Sequence, residues 1–137
     1  MVKPISCILL LVISLLSLLT YAEEIQEPLV ERLINQLQDQ DKDIRMNAVR
    51  ALMRMGKEVK VALPSLISLL QNQNANVRVN SVSTLGMIGS EALDALPSLI
   101  SLLQDQNTNV RVNAARVLVR IGTPEALKAV EEYRSRQ

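Results

Sequence analysis

The sequence predicts an all-α fold of three antiparallel helical hairpins and a C-terminal capping helix, and three observations carry that expectation. The first is an internal repeat. Pro64–Gly89 set against Pro97–Gly122 without gaps gives 18 identities in 26 positions, at a spacing of 33 residues, and Glu31–Gly56 matches Pro64–Gly89 at 10 of 26. The second is period. Leu63, Leu66, Ile67 and Leu70 recur at helical offsets rather than in strand alternation. The third is punctuation, since Gly56, Gly89 and Gly122 close the three units at the same place. A fixed period of this length marks units that cannot bury their apolar faces alone and stack to share one core. The units run over about 28–61, 62–94 and 95–122, with a final helix at 123–134.

Met1–Ala22 has the form of a secretory signal peptide. Lys3 gives the positive start, Ile5–Leu19 is a mostly apolar run of 15 residues, and Thr20-Tyr21-Ala22 can precede a cut. A retained membrane anchor is the alternative, but the run is short against the roughly 20 residues a spanning helix needs. Cys7 lies inside the apolar run rather than just after it, which argues against a lipid-bearing cysteine. Cleavage takes Lys3 with it, so the 15 basic side chains become 14 and equal the 14 acidic ones. The mature domain, 23–137, then has no net charge and no thiol, and is expected to be secreted or periplasmic. Glu23, Glu24 and Glu27 form an acidic lead-in to the first unit.

The first helix of each unit is expected at Pro28–Leu37, Ala62–Leu70 and Ala95–Leu103. Pro64 and Pro97 lack an N–H, so they belong in the first turn, or else they bend a helix that starts earlier. Polar linkers follow at Gln38–Asp43, Gln71–Asn76 and Gln104–Asn109. Their last residues, Asp43, Asn76 and Asn109, are the expected N-caps of the second helices. Those helices are expected at Ile44–Met55, Val77–Ile88 and Val110–Ile121, with Ile44, Ala48, Leu52 and Met55 on the buried side of the first. The matching columns are Val77/Ser81/Leu85/Ile88 and Val110/Ala114/Leu118/Ile121, where Ser81 needs a main-chain acceptor for its hydroxyl. After Gly122, Thr123-Pro124 opens a final helix rich in charge, a polar lid over the last pair.

Composition removes several chemistries. The chain has no histidine and one cysteine, so near-neutral imidazole catalysis, an intrachain disulfide and multi-cysteine metal sites are all excluded. Asp39, Asp41 and Asp43 alternate as calcium ligands do, yet the glycine and closing glutamate of an EF-hand loop are missing. No metal or other cofactor is expected, and no enzyme activity. A balanced charge and an export signal also argue against nucleic acid. Two candidate columns remain. Arg45, Arg78 and Arg111 form a structural ladder whose guanidiniums bridge adjacent turns. Asn47, Asn80 and Asn113 form a second column, flanked by Arg50/Arg54, Ser83/Met87 and Arg116/Arg120 on the side opposite the apolar stripe. That surface suits an acidic segment of a partner protein. Self-association through the ends of so short a stack is the competing use.

The Asx-hydrophobic-Arg turns (Asp43-Ile44-Arg45, Asn76-Val77-Arg78, Asn109-Val110-Arg111), the closing glycines and the proline-bearing first helices resemble HEAT repeats. More narrowly, the chain looks like the short bacterial HEAT-like repeats named after phycobilisome lyases. The resemblance spans about Pro28–Tyr133. It implies a right-handed α-solenoid whose second helices line a concave, protein-binding side, and hence a non-catalytic interaction scaffold, or an accessory protein related to bilin-lyase HEAT-like proteins. Relatives also include an iron-dependent hydroxylase whose metal sits on His-Glu pairs. Without a histidine, that activity does not carry over to this chain.

Overall fold

A computed structural model describes residues 4–137, the side chains of 4–6, 23–27 and 57 excepted. Lys3 and the side chains of Glu23, Glu24 and Glu27 therefore lie outside the described residues. Seven α-helices follow one another: α1 (Pro4–Gln36), α2 (Lys42–Arg54), α3 (Leu63–Leu69), α4 (Ala75–Ile88), α5 (Leu96–Ser101), α6 (Thr108–Ile121) and α7 (Pro124–Arg134). Among the described residues there is no strand. Helices α1/α2, α3/α4 and α5/α6 pair as hairpins, α2, α4 and α6 pack side by side in that order, and α7 closes the end against α5 and α6. The architecture is a short α-solenoid.

The second helices begin two residues before the expected start, and their caps move with them. Asp41, Asn74 and Asn107 are the N-caps, each in extended backbone, and their side-chain oxygens accept the N–H of Asp43, Asn76 and Asn109 respectively. Asp43, Asn76 and Asn109 are thus capped rather than capping. The reason is that an Asx oxygen reaches the N–H two or three residues ahead only from extended backbone, and the chain turns into the helix after Asp41, not after Asp43.

Gly56, Gly89 and Gly122 adopt φ of 60°, 66° and 71°, a region closed to most side chains. Two 3₁₀ stretches, Gly56–Ala62 and Gly89–Ala95, then carry the chain across to the next hairpin. They end where α3 and α5 begin, which puts Pro64 and Pro97 in the first turn. The first-unit helix differs: it is the last part of α1, a continuous helix of 33 residues with Pro28 inside it. From Cys7 to Ala22 every side chain of α1 is exposed.

The core is a ladder of repeat-equivalent leucines. Leu52, Leu85 and Leu118 are fully buried, as are Leu37, Leu66, Leu70 and Leu99. Ala48, Ser81 and Ala114 let second helices approach the first ones, and the Ser81 hydroxyl donates to the Val77 carbonyl at 2.9 Å. Ile44 departs from expectation: Val77 and Val110 in its column are buried, but Ile44 is 37% exposed, and among the described residues no earlier hairpin packs on α2 as α2 packs on α4.

Candidate interaction surface

The arginine ladder is built from the linkers inward. Arg45 Nη1 donates to the carbonyls of Asp39 and Gln40, Arg78 Nη1 to those of Asn72 and Gln73, and Arg111 Nη1 to those of Asp105 and Gln106. Each guanidinium thus ties down its own linker, satisfying carbonyls that no helix uses. Arg78 also spans units, with Nε and Nη2 each 2.8 Å from an Asp105 carboxylate oxygen. This forked pair is nearly enclosed, the side chains being 14% and 8% exposed. Burial pushes the Asp105 carboxyl up, but the Arg78 hydrogen bonds, the Asn107 N–H and the charges of Arg78 and Arg111 outweigh it and hold the group below its usual value. The open cleft of about 460 Å³ beside this pair has its one cation, Arg78, already engaged.

The second candidate column does not hold together. Asn47 is exposed on α2 and Asn113 half-buried on α6, but Asn80 is 8% exposed and sits within the packing of α4. Its Nδ2 has no hydrogen-bond partner, while its carbonyl accepts the Thr84 hydroxyl at 2.9 Å. Asn80 is therefore not a surface residue. The physical reason is that α4 lies between α2 and α6, so burial extends around most of its circumference.

What the structure does bring together is the C-terminal part of the predicted surface. Ser83 and Met87 of α4 and Asn113, Arg116 and Arg120 of α6 line one cavity of about 260 Å³, with Gly86 and Val117 at its floor. Gly86 is what lets the helices close there: a Cβ at that position would stand 2.6 Å from Val117 Cγ2. Arg116 is also a wall of a neighbouring cavity of about 340 Å³, lined by Val112, Ala115, Val119, Tyr133 and Arg134. Arg116 thus stands between two adjoining cavities, one against α4 and the other against α7. Their cations are Arg116, Arg120 and Arg134, and neither cavity is lined by an acidic side chain. Arg116 is loosely held, 3.5 Å from the Asn113 oxygen, while the Asn113 amide donates to the Asn109 carbonyl at 2.7 Å. Arg50 and Arg54 lie apart on α2, Arg50 at 3.4 Å from Asn47 Oδ1.

Sequence reading missed Val112, Val119, Tyr133 and Arg134. The signal was present in α7, whose Tyr133 is the one aromatic side chain after the apolar leader, but only the docking of α7 against α6 makes it part of the second cavity.

Comparison with known proteins agrees with the architecture. None of the curated proteins matches the chain. Two engineered proteins solved by the Northeast Structural Genomics Consortium are similar in structure: one at 26% identity and TM-score 0.54 over 77% of this chain and 51% of its own, the other at 27% and 0.54 over 77% and 52%. A designed armadillo repeat protein shares the fold at 21% identity and TM-score 0.50, over 76% of this chain and 52% of its own. The chain spans about half the length of these three structures. The family model for HEAT repeats matches residues 30–99 and 63–136, overlapping windows that together take in every hairpin and α7. By fold, period and family match alike, the chain belongs to the HEAT repeats.

Proposed function

We propose that the chain is a non-catalytic scaffold that binds an acidic segment of another protein in the adjoining cavities that α6 forms with α4 and α7. One observation carries this reading: three arginines and several apolar side chains line two adjoining cavities, and no carboxylate is among the lining residues of either. A guanidinium stays charged at any physiological pH and accepts carboxylates in a forked geometry. Met87, Val117, Val119 and Tyr133 give an apolar residue of the same ligand somewhere to dry out. Ser83 and Asn113 supply neutral donors and acceptors, and no general base adjoins Ser83 among the lining residues. The reading therefore includes no reaction, metal or cofactor.

Two further parts of the proposal concern place and kinship. Export followed by removal of Met1–Ala22 delivers residues 23–137 to a secreted or periplasmic setting, supported by the apolar, exposed Cys7–Ala22 segment. Intact mass of the recovered protein should give Glu23 as its first residue, and a mass retaining Met1–Ala22 rejects export by cleavage. Membership of the phycobilisome-lyase-like subset is supported by the Asx-hydrophobic-Arg turns and by the endings at Leu52, Leu85-Gly86-Met87-Ile88-Gly89 and Ile121-Gly122.

The binding test uses a fluorescent peptide of alternating glutamate and leucine, titrated by anisotropy. Arg116→Glu with Arg120→Glu should weaken binding at least about tenfold, and added salt should weaken it in the wild type. Arg50→Glu with Arg54→Glu, away from these cavities, should have a much smaller effect. Equal losses in both pairs would mean that diffuse charge, not the cavities, captures the peptide. Tighter binding of single-stranded DNA than of the peptide would overturn the protein-ligand reading.

A further inference from the structure

We propose that the cleft between the second and third linkers is a binding site for an uncharged saccharide chain, held by glutamine side-chain amides. The argument starts from what the units keep. Glu31–Gly56 and Pro64–Gly89 share 10 residues of 26, and two of these are glutamines, at Gln38/Gln71 and Gln40/Gln73. The third unit keeps both, as Gln104 and Gln106. Most of the other shared residues have a task in the fold. Leu33/Leu66, Leu37/Leu70, Val49/Val82 and Leu52/Leu85 are core, Arg45/Arg78 clamp their linkers, and Gly56/Gly89 take positive φ. The glutamine side chains have no such task. All six are exposed, and among the described residues they make one side-chain hydrogen bond, a loose 3.4 Å contact from Asn72 to Gln38. The arginine clamps use the main-chain carbonyls of Gln40, Gln73 and Gln106, which any residue would supply.

The fold sets four of these side chains around one space. Gln71 and Gln73 line the open cleft of about 460 Å³ from the second unit, and Gln104 and Gln106 line it from the third, together with the exposed Ser101 hydroxyl. The frame behind them is fixed. Arg78 holds the Asn72 and Gln73 carbonyls and grips Asp105 across the units, while Arg111 holds the Asp105 and Gln106 carbonyls. With both linkers already braced, a ligand has to order side chains alone. The gap between the first and second linkers lacks this brace, because Asn72 stands where Asp105 does and reaches back with the one loose contact to Gln38.

The lining selects the class of ligand. Its charges are Arg78 and Asp105, which neutralise each other, so a phosphate, carboxylate or ammonium group finds no free counter-charge. Its apolar members, Leu70 and Leu102, are buried at 0% and 6%, so an apolar side chain finds no surface to dry on. Amides and a hydroxyl remain. Each carboxamide presents a carbonyl acceptor and N–H donors in one plane. Neighbouring hydroxyls on a sugar ring each donate and accept, so they match that pair of groups. A peptide main chain also donates and accepts, but it brings side chains for which this cleft has neither a charged nor an apolar place. An uncharged saccharide offers hydroxyls along its whole length. No aromatic ring lines the cleft, so hydrogen bonds made at a wet surface supply the affinity, and each contributes little net. Binding in the millimolar range follows.

The test titrates the whole chain, recovered as the cell processes it, with soluble oligomers of glucose and, separately, of N-acetylglucosamine. Side-chain amide signals in nitrogen–proton NMR spectra are the readout. Those of Gln71, Gln73, Gln104 and Gln106 should move with at least one series, those of Gln38 and Gln40 should stay, and sodium chloride should leave the affinity unchanged. Gln73→Ala with Gln106→Ala should weaken binding at least about tenfold, whereas Gln40→Ala, away from the cleft, should not. Both double-variant sites are exposed, and an unchanged main-chain amide spectrum verifies that the fold persists. No movement of the four signals with either series, equal movement with a glycine–serine peptide, binding that weakens with salt, or binding untouched in the double variant would each overturn the proposal. The arginine-lined cavities share no residue with this cleft, so failure here leaves the acidic-ligand reading standing, and the reverse.

Discussion

The Asp105 carboxylate shows how one side chain couples two units and how pH should reveal it. Its pKa is held down in the folded chain, so the pair's contribution is fully present above the unfolded-state value near 3.8 and fades as pH falls through the lower folded value. Asp105→Asn should cost about 1.5–3 kcal/mol at neutral pH, the range for hydrogen bonds to a charged group. The gap between the variant and the wild type should narrow below that folded pKa, because the wild-type carboxyl is then also neutral. Urea midpoints at pH 7 and in acid measure both; a gap that does not change with pH would remove the ion pair from the account. Arg45 makes the complementary case. The residue equivalent to Asp105 before it is Asn72, whose link to the preceding unit is a loose 3.4 Å contact from its amide nitrogen to the Gln38 side-chain oxygen. Asn72→Asp keeps the acceptor for the Asn74 N–H and should add a second rung, worth up to about 1 kcal/mol. Gly86 is the steric counterpart of these charges. Gly86→Ala drives a methyl into Val117 and should destabilise by about 1–3 kcal/mol, with most of the loss recovered in the Gly86→Ala, Val117→Ala double variant.

At the level of the helices, most of the fold was legible in the chain and the cap positions were not. The period of the leucines located all three second helices, because a packed helix needs one residue per turn on its buried side whatever surrounds it. The caps failed for a local reason. Each linker carries Asp or Asn at alternate positions (Asp39/Asp41/Asp43, Asn72/Asn74/Asn76, Asp105/Asn107/Asn109), and residue type cannot choose among chemically similar candidates. Backbone angle chooses, and the extended conformation falls on the middle residue. Asn74→Ala and Asn107→Ala should therefore each cost about 0.5–2 kcal/mol, whereas Asn76→Ala and Asn109→Ala should each stay within about 0.5 kcal/mol, as exposed positions away from special contacts do. Thermal or urea melts of the four variants check this, and a larger loss at 76 and 109 would restore the later caps. The 3₁₀ connections were missed as well. Lys57-Glu58-Val59-Lys60 carries no helix-breaking residue, and the tight winding follows from having to cross between hairpins after a positive-φ glycine.

The candidate surface was the least legible part, since it depends on neighbours that a single helix does not specify. Asn47, Asn80 and Asn113 are one column by sequence, yet they have three environments because the stack has a beginning, a middle and an end. The same end effects govern stability. In a one-dimensional array each unit is held by its neighbours, so loss of a terminal element weakens the adjoining unit first. Ending the chain at Gly122 removes the buried Ala126 and Val130 and the half-buried Tyr133 from the face of the third hairpin. On the scale for burying side chains of that size, this should cost roughly 2–4 kcal/mol. Hydrogen exchange should show where. Amides of α6 should lose protection first and those of α2 last, because α2 is separated from the cut by α4. The truncated chain should also bind the acidic peptide less well, since Tyr133 and Arg134 leave with α7. Equal loss of protection along α2, α4 and α6 would mean that the hairpins unfold as a single unit, and that coupling through Arg78–Asp105 and the leucine ladder is strong enough to erase the difference between end and middle.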